Sequence, residues 1–346
     1  MKLAILFGGA SYEHEISIVS AITVKGKLES KFELSFIFCD QDHKFYLIDG
    51  AKMKAITFSR GEHRKMPQIF LTNGGFEQRG MFGSKKHEMP ILNLIHGGDG
   101  EDGSIASLMD FFHIPFIGPR KEASMLSFDK YYTKWLAASL GVKTLPYEVL
   151  HKEDTRAVTT AYPFIVKPAR LGSSIGVSIV REPSELDYAL DVAFEFDNVL
   201  LIEPFISGVK EYNLAGFSAR GEITYSIVEE PQKAEFLDFE KKYLDFSRSG
   251  SVEHAAVSDT LVAQLRESFA KIYLPLFEGA LIRCDFFEIE GEVYLNEVNP
   301  IPGSMANYLF EDFSGGIQKL LGALPDKKAI RVNYDYIHSI SQAKGK

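Results

Sequence analysis

The apolar run Met89-Pro90-Ile91-Leu92-Asn93-Leu94-Ile95 passes directly into His96-Gly97-Gly98-Asp99-Gly100-Glu101-Asp102-Gly103. Four of these last eight residues are glycine, and glycine inside a regular element costs roughly 0.5–1 kcal/mol relative to alanine. Bare backbone is needed there for another reason. With Ser104-Ile105-Ala106-Ser107-Leu108-Met109 following, the segment reads as a buried strand, a loop, and a helix over 104–112 with acids at its start. In open α/β sheets such loops lie at the ligand-binding edge.

The chain start repeats this grammar. Leu3 to Phe7 is an apolar strand, Gly8-Gly9 a tight turn, Ser17 to Leu28 a helix and Phe36 to Cys39 the next strand. The turn lacks the G-x-G-x-x-G spacing of a dinucleotide site. Glu13 and Glu15 stand where a pyrophosphate would be repelled, so Glu13 suits a ligand ammonium better. Residues 40–90 mix short strands with turn signals such as Asn73-Gly74-Gly75. Beyond Gly118-Pro119 a helix is expected around 121–140, ending at Gly141.

Phe164 to Pro168 and Val177 to Val180 then read as an antiparallel hairpin around Gly172-Ser173-Ser174-Ile175-Gly176. Domain boundaries are placed near 120 and 207. The chain has 346 residues, 45% hydrophobic and 25% charged, enough for two or three domains. Its net charge of −9 gives a nucleic-acid backbone no attraction. Cys39 and Cys284 lie in apolar runs and read as buried free thiols rather than a disulfide framework. No signal peptide or membrane span is recognised, so a soluble, cytoplasmic protein is expected.

The metal chemistry is concentrated in 281–300. A hairpin turning at Glu290-Gly291-Glu292 with a three-residue loop would pair Ile289 with Val293, Phe287 with Leu295, and Asp285 with Glu297, all on one face. Opposed acids repel and call for a cation. Asn299 returns to that face with a neutral oxygen, completing an all-oxygen set suited to Mg²⁺. Arg283 shares the face and can hold developing negative charge, and Ile301-Pro302-Gly303-Ser304 offers bare amides nearby. Lys167, just before the glycine/serine loop, is the complementary phosphate signature.

Lys167-Pro-Ala-Arg-Leu-Gly-Ser-Ser-Ile-Gly, Val199-Leu-Leu-Ile-Glu203-Pro, Glu211, and Arg283-x-Asp285 with Glu297-x-Asn299 resemble the ATP-grasp fold. Gly8-Gly9-x-Ser11-x-Glu13-x-Glu15, His96-Gly-x-x-Gly-Glu-Asp-Gly and Asn299-Pro-x-Pro-Gly303 narrow the resemblance to the D-alanine–D-alanine ligase family, over residues 3 to about 325. The resemblance implies a three-domain α/β fold, α+β in part: an N-terminal Rossmann-like parallel domain at 1–120, a central ATP-grasp subdomain at 121–206 and a C-terminal ATP-grasp domain at 207–346. A lid loop is implied at about 238–250.

It further implies two D-alanines joined through an acyl phosphate for peptidoglycan synthesis. ATP would lie between the last two domains, with Lys130 and Lys167 on its phosphates and Ser173 and Ser174 in the phosphate loop. Glu203, Pro204, Phe205, Ile206 and Glu211 would hold adenine and ribose, Phe287 would pack on the base, and Lys242 would join from the lid. Asp285, Glu297 and Asn299 would bind two Mg²⁺ or Mn²⁺ ions. Glu13 would hold the first D-alanine's ammonium, oriented by Ser173 and by Tyr243. His96 would line that pocket, with Glu101 and Asp102 as acids that fix the loop. Arg283 and the Gly303 amide would stabilise the oxyanion, and Tyr308-Leu309 would border the second substrate.

The chain departs from the family pattern in three places. Ala106 stands where glutamine is usual, Tyr308-Leu309 where serine and leucine are common, and Pro300 where threonine is commoner. The resemblance also implies a homodimer. An ATP-grasp ligase with another acceptor, such as D-lactate, is the alternative.

Overall fold

The computed structural model describes residues 1–81, 83–231, 254–326 and 330–344. Lys242, Tyr243 and the expected lid at 238–250 lie outside the described residues.

Strand β1 (Lys2–Gly8) runs parallel to β2 (Glu33–Cys39), and the helix His14–Leu28 makes the crossover. Antiparallel strands β3 (Phe45–Ile48), β4 (Gln68–Thr72), β5 (Gly75–Gly80) and β6 (Gly83–His87) extend one side, and parallel β7 (Ile91–Asn93) and β8 (Phe116–Ile117) the other. The order is β6-β5-β4-β3-β2-β1-β7-β8. Leu3 to Phe7 are all buried because both faces are covered. Leu3, Ile5 and Phe7 pack under the helix His14–Leu28, while Ala4 and Leu6 pack with Ile105, Ala106 and Met109 of the helix Ser104–Phe111.

Strands β9 (Glu148–His151), β10 (Phe164–Pro168), β11 (Ser178–Val180) and β12 (Val199–Pro204) form a second sheet, ordered β11-β10-β12-β9 and antiparallel throughout. A third antiparallel sheet, β14-β13-β15-β16, contains β13 (Lys210–Ala219), β14 (Glu222–Glu229), β15 (Leu281–Ile289) and β16 (Glu292–Asn299). The helix Asp259–Tyr273 covers its inner face with Leu265, Phe269, Ile272 and Tyr273. Leu281 of β15 and the turn Gly303–Leu309 share one core with the helix His14–Leu28, so the first and last sheets are packed together.

Two expectations are corrected. The helix anticipated over 121–140 is two helices, Lys121–Phe128 and Lys130–Ser139. Asp129 leaves the helical region between them, and its carboxylate accepts from the amides of Tyr131 and Tyr132 at 2.9 and 3.3 Å. It is the N-cap of the second helix.

The β15/β16 hairpin has a two-residue turn, Glu290-Gly291, not a three-residue one. Ile289 pairs with Glu292, Phe287 with Tyr294 and Phe286 with Leu295. Both turn residues have positive φ, 53° and 82°, the geometry that matches strand twist in the shortest hairpins. Val293 and Leu295 therefore face the core, not the acids' face. Asp285 nevertheless opposes Glu297, because the register shifts by one residue between Asp285 and Phe286, leaving Asn296 as the extra residue of a bulge.

Candidate active site

Glu13 immediately precedes the helix His14–Leu28 and is buried. Its Oε1 accepts a 2.5 Å hydrogen bond from the Ser173 hydroxyl, across 160 residues. Burial, then the neighbouring Glu101 carboxyl, pushes its pKa above the ordinary carboxylate range. The approach depends on absent side chains: a Cβ on Gly172 would stand 2.9 Å from Glu13 Oε1, and one on Gly97 2.9 Å from Oε2. A cavity of about 440 Å³ opens beside Glu13, lined by Ser11, Gly97, Phe128, Arg170 and Leu171 among others.

The loop at 96–103 is bound to this end of the cleft. Ser11 Oγ donates to the His96 carbonyl at 2.6 Å, and the Ala10 amide donates to Asp99 Oδ2 at 3.0 Å. Asp102 accepts from the Ser104 amide at 2.8 Å, so it is an acid that fixes the loop. Glu101 instead points inward, 3.6 Å from His96 Nδ1. Burial raises the Glu101 pKa to about 8 and lowers that of His96 to about 4. The pair is therefore a neutral acid and a neutral imidazole near pH 7, not an ion pair.

Ser173 and Ser174 both adopt left-handed backbone, φ 55° and 58°. Asp197 anchors the loop's base through the Arg170 amide at 2.8 Å and its guanidinium. Lys130 donates to the Leu171 carbonyl at 2.6 Å, so the break at Asp129 delivers this lysine to the same loop.

Lys167 donates to Glu203 Oε2 at 2.7 Å and to Asn296 Oδ1 at 3.3 Å. Burial acts to lower its pKa, but Glu203, Glu297 and Glu211 together outweigh this and raise it. Glu203 is only 1% exposed and is also ion-paired with Lys134, which is 3% exposed. The two lysines overcome the burial penalty and hold the carboxylate below its ordinary range. Its side chain is thus committed to two cations. Pro204 at the end of β12 and Phe205 and Ile206 beyond it are half-buried, and Glu211 stands opposite Phe287 across β13 and β15.

The bulge places Asn296 and Glu297 toward Lys167 together, an arrangement that strict alternation would forbid. Asp285 receives both arms of Arg283, Nε to Oδ1 at 2.7 Å and Nη2 to Oδ2 at 2.8 Å, and Asn299 Nδ2 donates to Oδ2 at 3.0 Å. Burial raises the Asp285 pKa despite Arg283, and Glu297 adds to the rise. Burial works against the Arg283 charge too, but Asp285 outweighs it and raises the guanidinium well above its ordinary value. Two opposed acids and an amide form a hard-oxygen set that fits Mg²⁺ or Mn²⁺. Among the described residues no group of three or more His, Cys, Asp or Glu assembles, so this oxygen set rests on Asn299 as its third member.

Gly303 opens the turn Gly303–Leu309. The Tyr308 hydroxyl lies 3.4 Å from Glu229 Oε2, and burial raises its pKa to about 12. The Leu309 side chain is packed in the core with Phe313 and Ile317. Sequence reading missed Asn296, the Lys134–Glu203 pair and the inward face of Glu101. Lys134 alone left a signal, being one helical turn from Lys130.

Residues 2–119 match the family description "D-ala D-ala ligase N-terminus", and residues 136–313 match "D-ala D-ala ligase C-terminus". The chain belongs to the D-alanine–D-alanine ligase family. It is 64% identical to the D-alanine–D-alanine ligase of Sulfurimonas denitrificans and 55% identical to that of Helicobacter hepaticus, in each case over 100% of both chains. The crystal structure of the D-alanine–D-alanine ligase from Helicobacter pylori matches with TM-score 0.85 at 49% identity, covering 95% of this chain and 100% of that one. The Coxiella burnetii ligase structure, at 22% identity and TM-score 0.78 over 100% and 99% of the chains, shares the fold. This is the three-domain ATP-grasp architecture.

Proposed function

We propose that this protein joins two D-alanines into D-alanyl-D-alanine with ATP, supplying a peptidoglycan precursor. The observation that carries the reading is the Ser173–Glu13 hydrogen bond of 2.5 Å. It sets a buried ammonium acceptor against the glycine/serine loop, so a small amino acid held by Glu13 has its carboxylate near the phosphates.

The carboxylate of the first D-alanine attacks the γ-phosphorus, ADP leaves, and an acyl phosphate forms. The amine of the second D-alanine attacks the acyl carbon, and the tetrahedral intermediate expels phosphate and loses a proton. Lys130 and Lys167 bind the phosphates, and the 204–206 stretch, Glu211 and Phe287 hold the nucleoside. Arg283 and the Gly303 amide take up the oxyanion charge. Neutral His96 lines the first pocket without adding charge beside Glu13, and Tyr308 borders the second. Asp285, Glu297 and Asn299 would hold a divalent cation, which when bound neutralises phosphate charge that would repel a carboxylate nucleophile.

We also read the enzyme as a cytoplasmic homodimer, consistent with its use of ATP; no described helix is long and apolar enough to cross a membrane. Incubation with ATP, Mg²⁺ and D-alanine is expected to give dipeptide and ADP in equal amounts, and L-alanine none. Absence of dipeptide, or preferential ester formation with D-lactate at neutral pH, would refute the reading.

A further inference from the structure

Ser20 lies within the helix His14–Leu28, wholly buried, and the reaction described above gives it no role. Its Oγ stands 3.0 Å from His96 Nε2 and 3.0 Å from the backbone nitrogen of Ser304. The Ser304 N–H can only donate, so the Ser20 oxygen accepts that bond while its hydroxyl also lies within hydrogen-bond distance of His96 Nε2. His96 Nδ1 faces Glu101 at 3.6 Å, and the imidazole also hydrogen-bonds the Ile301 backbone. A single hydroxyl thus joins the loop that lines the first-substrate pocket to the turn that begins at Gly303.

That turn needs holding. Ser304, Met305 and Ala306 have φ of 49°, 56° and 48°, a run of left-handed backbone that L side chains avoid. The Met305 amide donates to the Pro302 carbonyl at 2.7 Å and Asn307 Nδ2 to the Ser304 carbonyl at 3.0 Å, both bonds within the turn or its entry. The Ser20 bond instead ties it to the helix His14–Leu28, which also begins just after Glu13. Glu13 and the Gly303 amide are therefore referenced to one rigid element.

We propose that Ser20 is a positioning residue for the ligation step: its hydroxyl fixes the Gly303–Ser304 backbone against His96, so that the Gly303 amide meets the oxyanion formed when the second amine attacks. This rests on the ligase reading above. Phosphoryl transfer to the first carboxylate makes no oxyanion at the acyl carbon, so loss of the strut acts on the second step. An acyl phosphate that outlives its acceptor leaves the site and hydrolyses in solution to D-alanine and phosphate.

The test compares Ser20→Ala, Ser20→Cys and Ser20→Thr with the wild-type enzyme, following ADP and dipeptide together and checking fold by thermal melting. For a folded Ser20→Ala we expect dipeptide kcat to fall about tenfold, the KM for ATP to stay within twofold, and the ratio of ADP to dipeptide to rise from one to three or more. Ser20→Cys keeps the volume with a weak donor and should behave similarly, whereas Ser20→Thr restores coupling. A folded Ser20→Ala with a ratio of one overturns the proposal, whether its kcat is normal or reduced. Failure of all three variants to fold also overturns it, since Ser20 would then serve the fold alone. A wild-type enzyme that makes ADP without dipeptide would instead refute the ligase reading.

Discussion

Ser173 and Glu13, 160 residues apart, meet in a 2.5 Å hydrogen bond that joins the glycine/serine loop to the start of the first helix. A hydrogen bond to a charged group contributes about 1.5–3 kcal/mol, so the contact is strong enough to hold the Glu13 carboxylate in place. It also ties the loop that follows Lys167 to the first sheet's crossover helix.

Ser173→Ala is expected to raise the KM for the first D-alanine about tenfold, with a smaller effect on the KM for ATP. Steady-state kinetics under saturating ATP measures this. Unchanged D-alanine dependence would remove Ser173 from the first subsite.

Gly172→Ala should act on the same subsite by volume, because the added Cβ stands 2.9 Å from Glu13 Oε1, the end of a movable side chain. The melting temperature should barely change while the D-alanine KM rises. Gly100→Ala is the contrast. Its Cβ would lie 1.7 Å from the backbone oxygen of Ile95, so the loop must rebuild at a cost of about 3 kcal/mol or more. Denaturant titration separates the two, and similar stabilities would contradict the packing described.

Lys134→Met should destabilise the protein by about 3 kcal/mol, since it leaves Glu203 buried with one of its two cations missing. Urea unfolding reads this directly. A loss below about 1 kcal/mol would mean that Lys167 alone satisfies the carboxylate.

The neutral pair Glu101 and His96 has opposite pH consequences. Glu101 has its folded pKa raised to about 8 from 4.5, so its stabilising proton is retained at low pH and stability is lost as pH rises toward 8. His96, lowered from 6.5 to about 4, gives a stability that increases as pH rises from 4 to 6.5. The two slopes oppose each other below 6.5, and above it Glu101 acts alone. Stability should therefore fall between pH 6.5 and 8, by at most about 1.4 kcal/mol per pH unit. Glu101→Gln should flatten that decline. A variant with the wild-type slope would assign the decline to other groups.

Glu297→Ala is expected to reduce turnover more than tenfold and to abolish the extra thermal stability that ATP gives only in the presence of Mg²⁺. Chelating the metal from the wild-type enzyme should have the same effect on the melt. Retention of Mg²⁺-dependent stabilisation by the variant would exclude Glu297 from the metal set.

Much of this site could be read along the chain because local patterns carry it. Apolar runs closed by glycine announce β1 and β7, the glycine/serine loop follows its lysine in sequence, and Asp285 and Glu297 face each other as the hairpin pattern suggested. The acids meet for a different reason from the one read in the sequence. A three-residue turn and a two-residue turn with one bulge give the same pairing at Asp285, and the hydrophobic pattern favours the three-residue turn because it carries no signal of a bulge.

The sequence by itself determined the strand–glycine–helix start of the chain, the opposition of Asp285 and Glu297, and the lysine beside its loop, because each depends on neighbours in the chain. Only the tertiary structure decided that Asn296 joins Glu297 at Lys167, that Lys134 shares Glu203, and that Glu101 faces His96 while Ser20 bridges His96 to Ser304. These groups lie on different elements. Their protonation and pairing follow from burial and from the charges that packing brings close, and neither is set by spacing along the chain.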